Sequence, residues 1–289
     1  MTKLISLAII ITILAACTQH TASIENTKTH LYVDRTINRT SAQQKSLPFI
    51  FNSNGDKLVG RILMAINDNP KPTIIFLHGN PGFEKNEDIG QALRRDGYNA
   101  VFFSYSGTWG NEGIFNYQHS VDDLNFIIKY LSDNASTYRV NTEKIYVCGF
   151  SMGGDIAIIA ATKNKNIKAV ISIDPWNGYH QLNNMSDNEL TKYKNNVALR
   201  PCISIKSGSD YVNSIINNDE MNLQKSIKGS TIPMVHIFGR QADLESFKTN
   251  CKLESSNNLH LIKTVDHSFS DKRITLTNYI AEWLSNLPK

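Results

Sequence analysis

Lys144-Ile145-Tyr146-Val147-Cys148-Gly149-Phe150-Ser151-Met152-Gly153-Gly154-Asp155-Ile156-Ala157-Ile158-Ile159-Ala160-Ala161 is the stretch on which the fold turns. Lys144 to Cys148 is rich in β-branched and aromatic residues and reads as a strand. Gly154 to Ala161 reads as a helix. Between them stands a G-x-S-x-G pattern with Ser151 at its centre. Strand, tight turn, serine and helix form the setting in which this pattern carries chemistry. The turn strains the serine backbone, and glycine on both flanks removes the side chains that would clash. It lifts the hydroxyl out of the sheet. The N–H of Met152 then lies at a helix N-terminus, where negative charge is stabilised. A plain Gly-Ser turn would share the five letters but has no need of the flanking elements.

Outward from this stretch, apolar runs and helical patterns alternate. Phe49-Ile50-Phe51-Asn52 and Lys57 to Ile66, joined through Ser-Asn-Gly, predict a hairpin. Thr73 to Leu77 fits a strand buried on both faces, followed by His78-Gly79-Asn80-Pro81-Gly82. Helices are predicted over Asp88 to Asp96, His119 to Ser132 and Asp271 to Leu287. Further strands are predicted over Ala100 to Tyr105, Lys168 to Ile173, Ile232 to Phe238 and Leu259 to Ile262. Strands alternating with helices imply an α/β fold with a mostly parallel sheet covered on both faces. Only Pro175 to Ser230 breaks the alternation. It is polar and Asn-rich, with weak helical patterns around Asp187 to Asn195 and Val212 to Leu223.

The order of elements and the motif positions resemble the α/β-hydrolase fold over roughly residues 47–287. The resemblance implies a chain order of serine, acid, then histidine, with the acid after a late strand and the histidine in a loop before the last helix. Asp243, in Gly239-Arg240-Gln241-Ala242-Asp243, and His267, in Asp266-His267-Ser268-Phe269, occupy such loops. The implied catalytic set is therefore Ser151, Asp243 and His267. Glu245 is the nearest competing acid, Asp243 could equally be a helix N-cap, and His236 and His260 lie within strands. The His-Gly-Asn-Pro-Gly segment resembles the HGxPG turn of the superfamily, which implies an oxyanion hole from the N–H groups of Met152 and Asn80. Pro81 has no N–H to offer.

Tyr105-Ser106-Gly107-Thr108-Trp109-Gly110-Asn111-Glu112-Gly113 looks like the Y-R-G-S-x-G-S-x-G turn of prolyl-oligopeptidase-like and dienelactone-hydrolase-like members, with Ser106 where arginine is common. The resemblance implies a serine hydrolase acting on carboxylic esters or related acyl compounds as small-molecule substrates. An acyl- or aminopeptidase, and a catalytically silent binding protein of the cell envelope, remain alternatives. In this fold an insertion at 175–230 often forms a cap over the site, although a crossover helix with long loops would also fit.

The chain begins with a basic Met1-Thr2-Lys3 and an apolar run from Leu4 to Ala16, too short to span a bilayer. Leu14-Ala15-Ala16-Cys17 resembles the lipobox of bacterial lipoproteins, with an ordinary cleaved signal peptide or a signal anchor, Cys17 being incidental, as the alternatives. The expected division is a signal peptide at 1–16, a polar flexible tether at 17–46 and the hydrolase domain at 47–289. Lipidation at Cys17 (diacylglycerol on sulfur, with an acyl chain such as palmitate on the amine) would anchor the protein in a bacterial envelope membrane. Thr18 at the next position suggests the outer membrane, facing the periplasm. The 289 residues carry a formal charge of only +4 with no basic stripe, which gives no case for nucleic-acid binding. No cofactor is expected, and no CxxC or Cys/His spacing suggests a metal. Cys148 is expected in the core, and Cys202 and Cys251 could pair or stay free.

Overall fold

The computed structural model describes residues 45–255 and 258–288. The signal peptide, Cys17 and nearly all of the tether lie outside the described residues. Eight strands form one sheet in the order β1-β2-β4-β3-β5-β6-β7-β8. They are β1 (Lys45–Ser53), β2 (Asp56–Met64), β3 (Lys71–Leu77), β4 (Asn99–Phe103), β5 (Val140–Phe150), β6 (Ile167–Ile173), β7 (Met234–Phe238) and β8 (Leu259–Leu261). β1 and β2 pair antiparallel, as do β2 and β4; every other pairing is parallel. Asn54 and Gly55, at φ 50° and 96°, close the first hairpin. Positive φ at both central residues matches the right-handed strand twist, which is why Asn-Gly stands there.

The apolar runs sort by parity into two cores. From β3, Ile75 and Leu77 pack on one side with Val101 and Val147, while Ile74 and Phe76 pack on the other with Ala100, Phe102 and Cys148. Helices α2 (Tyr117–Asp133), the short α3 (Ala135–Tyr138) and α4 (Met152–Ala161) cover the first side; α1 (Glu87–Arg95) and α10 (Arg273–Ser285) cover the second. Each fully buried Ile, Leu or Phe side chain stabilises the fold by about 1.5–3 kcal/mol. Cys148 is 1% exposed, as its place in a central strand predicts. Cys202 and Cys251 are both free thiols.

Between β6 and β7 the chain forms α5 (Gly178–Asn183), α6 (Asp187–Ala198), α7 (Gly208–Ile216), a single 3-10 turn and α8 (Leu223–Gly229). This insertion is sewn to the body by main-chain bonds. Trp109 N donates to Cys202 O at 2.9 Å, Ser204 N to Gly107 O at 2.6 Å and Phe115 N to Ser204 O at 2.7 Å. Gly107 sits at φ 67°, and a Cβ there would lie 2.5 Å from Phe115 N and 2.7 Å from Ser204 O. Only glycine allows the two segments to meet so closely. Ser106 is absorbed by the fold as well. Its N–H and hydroxyl both donate to the buried Asp123 carboxylate, at 2.7 and 2.8 Å, and Ser53 donates to the same group at 2.5 Å. The position that commonly holds arginine in similar proteins here serves a buried acceptor.

Candidate active site

The turn after β5 places Ser151 at φ 53°, ψ −121°. That strained conformation is typical of functional turns and persists only where the surroundings enforce it. They do so through glycine. A Cβ on Gly149 would meet Gly153 O at 2.0 Å, and one on Gly153 would meet Leu77 O at 2.4 Å. Ser151 N donates to Ile173 O at 2.9 Å, fastening the turn to the end of β6. Met152 opens α4, so its N–H is one of the first-turn donors that no helical carbonyl can satisfy.

The loop after β3 comes against the serine from the other side. A Cβ on Gly79 would lie 2.9 Å from the Cβ of Ser151. His78, 2% exposed, bonds through Nδ1 to Gly79 O at 2.7 Å. A carbonyl only accepts, so Nδ1 carries the proton. Burial pushes the imidazole pKa down to about 4, which keeps the ring neutral. The Gly79 carbonyl and the Asn80 N–H belong to one peptide plane and point in opposite directions. His78 thereby turns the Asn80 N–H away from itself.

His267 follows β8. Its Nδ1 lies 2.5 Å from Oδ2 of Asp174, a carboxylate only 6% exposed at the end of β6. Asp174 is held in turn by its own N–H, which donates to Ile237 O at 2.7 Å, and by Gly239 N, 3.4 Å from its Oδ1. The imidazole packs on Phe150 with centroids 4.7 Å apart. Its loop crosses back over Gly239, where Thr264 N bonds Gly239 O; a Cβ at Gly239 would sit 2.6 Å from Thr264 Cγ2. Beyond the histidine, Arg273 donates to Ser268 O and Asn86 Oδ1, both at 2.9 Å, and forks onto Asp88 at 2.8 and 2.5 Å. Fork geometry of this kind adds orientation as well as energy.

The expectation for the acid needs correction. Asp243 does not face His267; it lies in the first turn of α9 (Gln241–Asn250) and accepts from Arg240 Nε at 2.5 Å. The physical reason is strand order. β6 lies between β5 and β7, so its end is the neighbour of the Ser151 turn, and the histidine loop bends back to it. Asp174 also satisfies the order serine, acid, histidine, so chain order could not separate the two. The available signal was Asp174-Pro175 directly after a buried strand. His236, the competing histidine in β7, is buried and bonded to Ser172 Oγ at 2.7 Å. His260 stacks on Tyr279.

Ser151, Asp174 and His267 open into one cavity of about 570 Å³. The insertion supplies one wall, including Trp176, His180 and Glu189, and α9 supplies another, including Asp243 and Phe247. Asp155 fixes where the insertion begins. It accepts from Tyr117 Oη at 2.6 Å, Asn177 N at 3.0 Å and Gly178 N at 2.9 Å, while burial pushes its pKa up to about 6. Among the described residues, no three His, Cys, Asp or Glu side chains are grouped to hold a metal ion, and no helix is long and apolar enough to cross a membrane.

A parallel sheet with an antiparallel start, a strained serine at the end of β5 and a histidine after β8 define an α/β-hydrolase fold. The family model BD-FAE matches residues 62–242, and the chain belongs to that family. Among solved structures it is similar to Est1E from Butyrivibrio proteoclasticus with ferulic acid bound, at 18% identity and TM-score 0.67 over 82% of this chain and 98% of that one. The α/β hydrolase GrgF from Penicillium sp. sh18 is similar at 16% identity and TM-score 0.62, covering 83% of this chain and 98% of that one. The Pyrococcus horikoshii acylaminoacyl peptidase matches at 18% identity and TM-score 0.59, over 84% of this chain but 41% of that larger one. At these identities the likeness is one of fold. No curated protein matches the chain.

Proposed function

We propose that the protein is a serine hydrolase that cleaves carboxylic esters or related acyl compounds through an acyl-enzyme. The observation that carries this reading is the 2.5 Å contact of His267 Nδ1 with Asp174, in the same cavity as the strained Ser151. A serine hydroxyl is a weak nucleophile and needs a base whose ring is oriented by a carboxylate. With Asp174 accepting from Nδ1, His267 offers Nε2 as the base. Ser151 Oγ attacks the substrate carbonyl and His267 takes its proton. The carbonyl oxygen, now negative, is received by the N–H groups of Met152 and Asn80. Collapse of the tetrahedral intermediate expels the alcohol, which takes its proton from His267. Water, deprotonated by the same ring, then releases the acid. Losing one oxyanion donor typically costs about 10²–10³ in kcat.

The same proposal keeps the expectations for the chain's start: lipidation at Cys17 and residence in a bacterial envelope membrane, supported by the Leu-Ala-Ala-Cys sequence. Intact mass of residues 18–289 with a fluorophosphonate tests the enzyme reading. A single adduct that vanishes in Ser151→Ala and forms far more slowly in His267→Ala is expected. A folded protein that takes up no adduct would overturn it in favour of a binding role. Panels of acyl esters and aminoacyl amides then separate esterase from peptidase.

A further inference from the structure

The insertion does more than wall the cavity; it reaches the loop after β3. The side-chain oxygen of Asn80 accepts from Arg200 Nη1 at 2.5 Å, and its Nδ2 donates to the Tyr211 hydroxyl at 2.9 Å. Arginine can only donate, so the amide has one orientation that satisfies both partners. The Tyr211 hydroxyl also lies 3.8 Å from Met152 Sδ and shares a hydrogen bond with the Tyr193 side chain. A single phenol therefore touches the side chains of both residues whose main-chain N–H groups the proposed mechanism assigns to the oxyanion. These contacts join positions 131 and 59 residues apart in the chain. Tyr211 is 1% exposed, with its ring stacked on Phe115 at 5.5 Å. Burial holds its pKa well above the ordinary tyrosine value, so the hydroxyl stays protonated and neutral.

We propose that Tyr211, assisted by Arg200, is a positioning residue that holds Asn80 and Met152 so that their N–H groups stay aimed at one point as negative charge develops. The proposal rests on the serine-hydrolase reading. Donors fixed in advance stabilise the transition state without reorganising during the reaction. A donor freed to wander loses that benefit while ground-state binding is little changed, so the signature is a fall in kcat at constant KM.

The test uses residues 18–289 and an aryl trifluoromethyl ketone. Ser151 Oγ adds to the ketone carbon, the carbonyl becomes an oxyanion and the serine proton passes to His267. Tyr211→Phe keeps the ring and removes one oxygen. It should lower kcat about tenfold with KM within about twofold, and the ¹⁹F resonance of the adduct should titrate at higher pH than in wild type. In an Asn80→Ala background the same substitution should cost clearly less than in wild type, because only the Met152 contact is left to hold. Arg200→Gln, at a half-buried position outside the core, should move the same readouts in the same direction by about threefold and serves if Tyr211→Phe fails to fold. Unchanged kcat and ¹⁹F titration, or losses that add in full to those of Asn80→Ala, would overturn the clamp while leaving the hydrolase reading intact. A folded wild type that forms no adduct would overturn both.

Discussion

His267 faces Asp174 at 2.5 Å, whereas Asp243, on the α9 wall of the same cavity, faces Arg240. The two carboxylates thus make opposite predictions. Asp174→Asn should lower kcat by about 10³–10⁴, because an amide favours the wrong imidazole tautomer. Asp243→Asn should leave kcat within about threefold and alter mainly KM for substrates reaching that wall. Steady-state kinetics on a small activated ester distinguish them, and equal losses would restore Asp243 to the catalytic set.

Stability should fall on mild acidification. Burial lowers both His78 and His236 to about 4 from the ordinary 6.5. Between those values the unfolded chain binds protons that the native state refuses, so each contributes a loss of up to about 1.4 kcal/mol per pH unit as pH drops. Asp155, raised to about 6, acts in the opposite sense: the native state gains relative stability as pH falls through 6 toward the unfolded value. Asp123, also raised by burial, acts with Asp155, and His260, lowered by burial, acts with His78 and His236, so three histidines against two carboxyls give a net loss. Urea midpoints measured at pH 7 and 5 should show it, and His236→Gln should flatten the slope.

The glycines around Ser151 admit no side chain. Gly153→Ala would push a methyl against Leu77 O, 2.4 Å from the ideal Cβ position. The backbone there belongs to β3 and has little room to move. Expected are a loss of about 1–3 kcal/mol and a further loss of labelling at Ser151 in whatever remains folded. Near-wild-type stability and labelling would show that the turn is less constrained than its geometry implies.

Ser106→Arg, which installs the residue common in similar proteins, should destabilise rather than improve the protein. Ser106 is 3% exposed, and its two bonds to Asp123 leave no volume for a guanidinium. Overpacking of this kind costs about 1–3 kcal/mol. Thermal unfolding would settle the sign.

Much of the fold was legible because buried parallel strands leave long apolar runs. Thr73 to Leu77 and Lys168 to Ile173 are such runs, and both fall within observed strands. The turn at Ser151 announced itself through its glycines, whose requirement is local. Asp174 did not, because choosing between an aspartate that follows β6 and one that follows β7 depends on which strand lies beside β5. That neighbourhood is set by sheet order, not by spacing along the chain. The helices of the insertion were faint for a different reason. In α6 only Val197 is buried, so little apolar periodicity is imposed, and the helix is marked instead by the Ser186–Glu189 capping box. Arg200 and Tyr211 carry no motif; their meaning comes from a loop over a hundred positions upstream.

The seam between Gly107 and Ser204 has an evolutionary consequence. Segments that line a cavity while the chemistry sits on strand ends are natural candidates for exchange between relatives. Here the exchange is not free. The segment from 202 to 204 bonds main chain to main chain with residues 107 to 115, across a gap that tolerates no side chain at position 107. A donor insertion of different length or local geometry would tear that seam unless its matching partner segment travelled with it. The two stretches, distant in the chain, should therefore be inherited as a pair, and a chimera that swaps one alone should fold worse than one that swaps both.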